Sequence, residues 1–200
     1  MAIANARQIR LADQAAQAGE VLMIKSLQDM CRIRRSFSPI EIDDYELQTP
    51  GSSSPMLLSE FLDYRARLLV IHNMGDACAH CAVYADGLNG VLPHLESIAE
   101  VLLVAPMSPE ALGEFAASRS WRFALASTLG TSLASDLGFE GAPGEPLPGV
   151  FVVERSGVRL VVSARYVFNP GDHFSPVWPM LNLAGINLDG EDWQPKLSYS

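Results

Sequence analysis

No apolar run in the sequence approaches the roughly 20 residues that a membrane-spanning helix needs. The longest early run, Val21-Leu22-Met23-Ile24, is too short for the core of a secretory signal, and no small-residue cleavage site follows a basic start. The chain is therefore expected to be cytoplasmic, without membrane contact. Cysteine is scarce: Cys31, Cys78 and Cys81 are too few for a disulfide scaffold. In a reducing compartment a close pair is more often catalytic or metal-binding than structural. Charged residues are few as well, 18 % against 48 % apolar, which excludes a disordered chain and allows one full core. Bases are in short supply and unevenly placed. Residues 1–40 hold six Lys/Arg against three Asp/Glu, and residues 41–200 hold eight against twenty, giving +3 and −12. So acidic a body repels phosphate backbones, and nucleic acid is excluded as a partner. The basic arm could lie on an acidic body, its own or a partner's, or be an ordinary solvated helix.

The patterning orders the rest. Residues 1–35 read as helical, with Met23, Leu27 and Met30 at i, i+4, i+7, and Gly19 as a possible break between two helices. Cys31 is expected to pack as a small apolar side chain. Pro39 breaks the helix within residues 36–40. A short strand is expected at 45–48, a loop at 49–55 and a helical turn at 56–61. Residues 67–72, Arg67-Leu68-Leu69-Val70-Ile71-His72, form a buried strand. A loop then leads to the cysteines and to a helix reaching about residue 96, bent or broken at Gly87, Gly90 and Pro93. Residues 101–105 form the next buried strand. Ser108-Pro109 starts a helix that runs to about residue 118. A strand at 123–126 and a helix at 131–137 capped by Gly138 follow. Residues 141–148 hold three Pro and two Gly and form a constrained loop. Strands at 149–154 and 158–163 are joined by a turn at 155–157. A last helix covers 176–183, and the polar tail 187–200 is irregular. Strands joined through helices become parallel, and a closing hairpin adds antiparallel ones. The expected fold is an α/β three-layer sandwich, a mixed central sheet with helices on both faces. Its parts are a helical arm at 1–40, the domain at 41–186 and the tail at 187–200.

Cys78-Ala79-His80-Cys81 carries the chemistry. A C-x-x-C that follows a buried strand and opens a helix puts the first sulfur at the helix N-terminus. There the unpaired N–H groups and the helix dipole stabilise a thiolate. That assigns Cys78 as nucleophile and Cys81, one turn deeper and less exposed, as the resolving thiol. Their Cα atoms should lie within the roughly 4.4–6.8 Å that a disulfide needs. His80 either tunes Cys78, favouring the dithiol and a more oxidising disulfide, or is a solvent-exposed bystander. A structural zinc needs four ligands. Only two cysteines are close, and His72, His94 and His173 show no ligand spacing, so no metal and no cofactor is expected.

Residues 68–72, the Cys78/Cys81 pair, Tyr84-Ala85-Asp86-Gly87-Leu88-Asn89-Gly90 and Pro93-His94-Leu95 together resemble an uncharacterised bacterial family of thioredoxin-like proteins. That family is related to the peroxiredoxins and is labelled a domain of unknown function. Trp121-Arg122-Phe123 and Asp136-Leu137-Gly138 fit it too, and the resemblance covers about residues 42–185. It implies the thioredoxin-like fold. It also implies that Pro148, just before an antiparallel strand, is a cis-proline facing the cysteines, with the Leu147 backbone turned towards a bound polypeptide or thiol. Three departures stand out. Ala77 replaces the Trp that thioredoxins carry before the first cysteine. His72 replaces their buried Asp and could accept the proton of Cys81, or be a hydrogen-bonded core residue. Gly75 and Ile71 stand where peroxiredoxins need Thr and Pro.

The sequence thus points to a thiol–disulfide oxidoreductase acting on a protein or small-molecule disulfide or thiol. Cys78, Cys81, His80 and His72 would be the catalytic set, and Ala77, Leu147 and Pro148 would line the groove. Two alternatives stay open: an atypical thiol peroxidase, with Arg122 or Arg165 near the sulfur, and a non-enzymatic module of the same fold that dimerises through its arm. The arm is expected to pair two copies into a homodimer.

Overall fold

The computed structural model describes residues 6–36, 39–62, 65–186 and 193–197. The chain divides into two units, Met1–Ser38 and Pro39–Ser200.

The first unit holds one helix, α1 (Ala6–Ser36), which buries none of its residues. Gly19 does not divide it: a helix tolerates one glycine at a cost of about 1 kcal/mol. Cys31 is exposed rather than packed. Residues 37–38, part of the expected break, lie outside the described residues. No described helix is long and apolar enough to cross a membrane.

The second unit is built on a six-stranded sheet. Its strands are β1 (Ile40–Ile42), β4 (Arg67–His72), β5 (Glu100–Ala105), β6 (Ala124–Ser127), β7 (Gly149–Ser156) and β8 (Arg159–Val167). Their order is β1-β8-β7-β4-β5-β6. β4, β5 and β6 are parallel, as their helical crossovers require. β7 pairs antiparallel with β4 and β8. The hairpin is longer than the pattern suggested and turns at Gly157-Val158, where Gly157 takes the positive φ of 65° that a tight primed turn demands. β1 was not foreseen. It lies at the sheet edge, its Glu41 paired with Arg159 at 2.7 Å. β2 (Glu46–Leu47) and β3 (Met56–Leu57) form a separate ribbon, followed by a single 3-10 turn at Leu58–Phe61.

Helices α2 (Ala79–Gly90), α3 (Leu92–Glu96), α4 (Pro109–Ser118) and α6 (Val177–Leu183) supply one face of the sheet with Tyr84, Leu92, Leu112 and Trp178. α5 (Leu133–Asp136), the 3-10 turn and the β2 ribbon supply the other with Leu133, Leu58 and Leu47. Ser108 caps α4 by accepting the Ala111 N–H at 3.2 Å, and Gly138 follows α5 at φ 64°, both as their residue types require. The tail expected at 187–200 is described only at 193–197, which forms neither helix nor strand. Residues 187–192 and 198–200 lie outside the described residues.

Candidate functional site

The site begins where β4 runs out. Asn73 N–H donates to Val104 O at 2.8 Å, extending the parallel pairing by one residue, and Asn73 Oδ1 accepts the Gly75 N–H at 2.8 Å. This Asx turn swings the chain off the sheet. Gly75 holds φ 111°, a conformation open to glycine and strained for other residues. Its carbonyl then receives the Cys78 N–H at 3.2 Å. Sequence reasoning read 73–77 only as a loop, although an Asn two residues before a Gly was a legible signal for this turn.

Cys78 is the N-cap of α2. Its Sγ accepts the Cys81 N–H at 3.1 Å, and its carbonyl accepts the Ala82 N–H at 3.1 Å. Cys78 and Cys81 form a disulfide, with Cα atoms 5.3 Å apart. Cys81 is 3 % exposed, Cys78 half-buried and Ala77 exposed, so an incoming group meets Cys78 first. Among the described residues the hydrogen bond to Cys78 Sγ comes from the backbone, and the His80 ring lies against Trp178 with centroids 6.0 Å apart. Trp178 is in turn edge-on to Tyr84 at 5.9 Å and to Trp193 of the tail at 5.8 Å.

His72, 1 % exposed, ends β4 on the opposite face of the sheet. Its ring stacks on Phe139 at 5.2 Å, and Nδ1 is 2.7 Å from Leu147 O. A carbonyl only accepts, so Nδ1 carries the proton, and in the neutral ring Nε2 bears a lone pair. Nε2 is buried and has no hydrogen-bond partner among the described residues. Burial pushes the His72 pKa below its ordinary value, and the Leu147 carbonyl opposes that push. The ring is therefore held neutral, with one unoccupied acceptor.

Pro148 corrects the expectation. No described peptide bond is cis, so Leu147–Pro148 is trans. The Leu147 backbone is turned inward and used up. Its N–H donates to Phe139 O at 2.7 Å, and its carbonyl is the acceptor for His72. Pro148 O accepts the Phe168 N–H at 2.8 Å. These internal partners leave no reason for the strained geometry that would aim Leu147 at a ligand. The contacts thus sort the expected residues into two groups: Ala77, Cys78, His80 and Cys81 on the first turn of α2, and His72, Leu147 and Pro148 where β4 meets β7.

Neither arginine weighed for a peroxidase is idle. Arg122 donates to Asn89 O at 2.8 Å, and Arg165 donates to Gly138 O at 2.6 Å while lying 4.9 Å above the Phe139 ring. The sequence also did not reveal a support for α2. Arg119, its side chain 2 % exposed, pairs with Asp86 of α2, and Trp121 Nε1 donates to Asp86 at 2.8 Å. Arg119 also donates to Leu197 O at 2.8 Å, which ties the tail to the same place. More than thirty residues separate Asp86 from Arg119 and Trp121, so only the sheet order brings them together. No three described His, Cys, Asp or Glu side chains gather as a metal site would need.

The fold has solved relatives. Peroxiredoxin Q of Xanthomonas campestris superposes with a TM-score of 0.56 at 18 % identity, over 72 % of this chain and 96 % of that one. A cysteine-to-serine mutant of PrxQ from Xylella fastidiosa gives 0.55 at 19 %, over 74 % and 96 %. The mitochondrial 2-Cys peroxiredoxin of Plasmodium falciparum gives 0.57 at 13 %, over 74 % and 94 %. The architecture is thus thioredoxin-like, of the kind peroxiredoxins use. None of the curated proteins compared with the chain matches it. A family model does, over residues 1–168, arm included, and the chain accordingly belongs to DUF899, a family described as bacterial protein of unknown function.

Proposed function

We propose that the chain is a thiol–disulfide oxidoreductase. One observation carries the reading: a cysteine pair at the N-terminus of α2, with Cys78 half-buried and Cys81 3 % exposed one turn deeper. In the reduced protein the Cys78 thiolate would keep the Cys81 N–H and the positive end of the helix. It attacks one sulfur of a substrate disulfide, forming a mixed disulfide and releasing the first substrate thiolate. Cys81 then attacks Cys78 Sγ, releasing the second thiolate and closing the Cys78–Cys81 disulfide. Two electrons pass to the substrate, and two external thiols, or one dithiol, must return them on being oxidised to a disulfide. His72, stacked on Phe139 and hydrogen-bonded to Leu147 O on the other face of the sheet, is read as a core residue rather than as the proton acceptor of Cys81. The exposed Cys31 provides an internal control. Alkylation followed by mass spectrometry at pH 6 to 7 should modify Cys78 of the reduced protein well before Cys31. Equal rates would defeat the reading.

A tuning role for His80 rests on its place two residues after Cys78, in the first turn of α2. Replacing it with Leu should make the disulfide harder to reduce by about 30–60 mV, the equivalent of one hydrogen bond to a charged group. An unchanged potential leaves the helix terminus as the whole cause. The fold favours one further reading, a thiol peroxidase. Cys78 would cleave the O–O bond, leaving an alcohol or water and a sulfenic acid that Cys81 condenses with loss of water. Stopped-flow oxidation of the reduced protein by hydrogen peroxide, compared with a disulfide, decides between the two.

We also propose that the arm joins two copies. α1 carries the basic charge, the body carries the acidic charge, and the family shares the arm. At about 1.5 Å per residue a 31-residue helix is about 46 Å long.

A further inference from the structure

The segment 193–197 is held at both ends. Trp193 packs edge-on against Trp178 at 5.8 Å, and Leu197 O accepts from Arg119 at 2.8 Å. Between this segment, α2 and the start of α6 lies a cleft of about 430 Å³, within the roughly 300–1,000 Å³ of small-molecule sites. Its walls are largely apolar, with Val83, Pro176, Val177 and Trp193 among them. Gly87 of α2 also lines it. A Cβ at that position would meet Pro176 Cδ at 3.7 Å, an ordinary contact, and a longer side chain would compete for the same space.

The polar groups along the cleft differ in what they have left to give. Asp86 is the one carboxylate on the lining, and Arg119 and Trp121 Nε1 already donate to its oxygens. Ser175 is 2 % exposed. Its Oγ accepts the Val177 N–H at 3.4 Å, while its hydroxyl hydrogen has no acceptor among the described residues. The Gln194 amide and the Lys196 ammonium, on exposed residues, have no acceptor among them either. Three donors thus line the cleft beside one acceptor that is already in use. A carboxylate accepts several hydrogen bonds at once, and those to charged donors are the strong ones. The charge of Asp86 is offset by Arg119, which leaves the single charge of Lys196 to be matched. One carboxylate matches it, and a phosphate dianion would exceed it.

We infer that this cleft is a binding site for a small apolar monocarboxylic acid. Lys196, Gln194 and Ser175 hold its head, and Val83, Val177 and Trp193 cover its body. The site stands apart from the oxidoreductase reading, because neither Cys78 nor Cys81 lines it.

Isothermal titration of the full-length protein with two acids tests it, naphthoate with a rigid ring body and octanoate with a flexible one. At least one should bind, at one site per chain. Lys196→Gln, a change on an exposed residue, should weaken that acid by about 10-fold or more, the worth of one hydrogen bond to a charged group. Gly87→Leu should abolish binding by filling the cleft. The arm is basic and apolar as well, and an acid that lodges there would still bind the Gly87→Leu protein. Failure of both acids to bind, equal affinity in wild type and Lys196→Gln, or binding that survives Gly87→Leu each overturns the inference. A second measurement needs no variant. In the wild-type protein the bound acid should show nuclear Overhauser contacts to the Trp193 indole ring, and their absence also overturns the inference.

Discussion

α1 and β4 read alike in the sequence, as apolar stretches with a clear period, yet they end in opposite environments. Val21, Leu22, Met23 and Ile24 are 62 %, 68 %, 57 % and 51 % exposed, whereas Leu68, Val70 and Ile71 are at most 3 % exposed. The charges divide the same way, +3 in residues 1–40 and −12 beyond. A periodic stripe shows that a face wants cover, but not whose surface provides it. In the body the answer lies within the chain. In the arm the run Val21-Leu22-Met23-Ile24 stays exposed, and a contiguous apolar run is what distinguishes that case from scattered exposed residues.

The comparison is tested most strongly by Phe151, fully buried in the body, against Leu22 in the arm. Phe151→Ala should cost about 3–5 kcal/mol, whereas Leu22→Ala should leave the thermal unfolding of dilute protein within about 0.5 kcal/mol. A comparable loss for Leu22 would mean that the arm is covered after all. Replacing Leu22 and Met23 with Ser in the full chain should convert the proposed dimer to monomer in sedimentation velocity, with the body's unfolding transition unmoved. An unchanged mass removes the arm from the interface.

Acid gives a smaller effect confined to the body, because residues 1–40 contain no histidine. Burial holds the folded-state pKa of His72 below the ordinary value near 6.5. Below that pH the unfolded chain binds a proton that the folded chain resists. Stability is therefore retained above about pH 6.5 and lost as pH falls beneath it, by at most about 1.4 kcal/mol per pH unit for one proton. Chemical denaturation of wild type and His72→Asn between pH 4.5 and 7.5 should show a flatter slope in the variant. Parallel curves would mean that His72 does not titrate. The smallest effect belongs to Val158, 99 % exposed at the hairpin turn. Val158→Asn should change stability by no more than about 0.5 kcal/mol. A large loss there would show that single exposed apolar residues in the body are also covered.

What was legible followed from local rules. The runs of β4 and β5, the Ser108-Pro109 start of α4, the Gly138 cap and the strand–cysteine–helix order each depend on neighbours a few residues apart, and each stands where expected. The failures needed partners far along the chain. β1 is three residues with no usable period, and it exists because β8, more than a hundred residues later, offers an edge. Cys31 fits an apolar stripe, and a stripe does not name its cover. The isomer at Pro148 was inferred from position alone, while the structure sets it through Phe139 and His72, which take both polar groups of Leu147. The Asp86, Arg119 and Trp121 cluster could not be assembled before the strand order was known.

The rings that cover α2 have a consequence for biosynthesis. Tyr84 stacks on Phe168 at 4.3 Å and meets Trp178, which meets Trp193. Phe168, Trp178 and Trp193 are all translated more than eighty residues after Cys81. Closing the Cys78–Cys81 loop needs none of them, because the two cysteines are one helical turn apart. On the ribosome the pair can therefore emerge before those rings are in place, and an oxidant reaching the nascent chain can close the disulfide first. The sulfur chemistry can start before the helix that carries it has its aromatic cover.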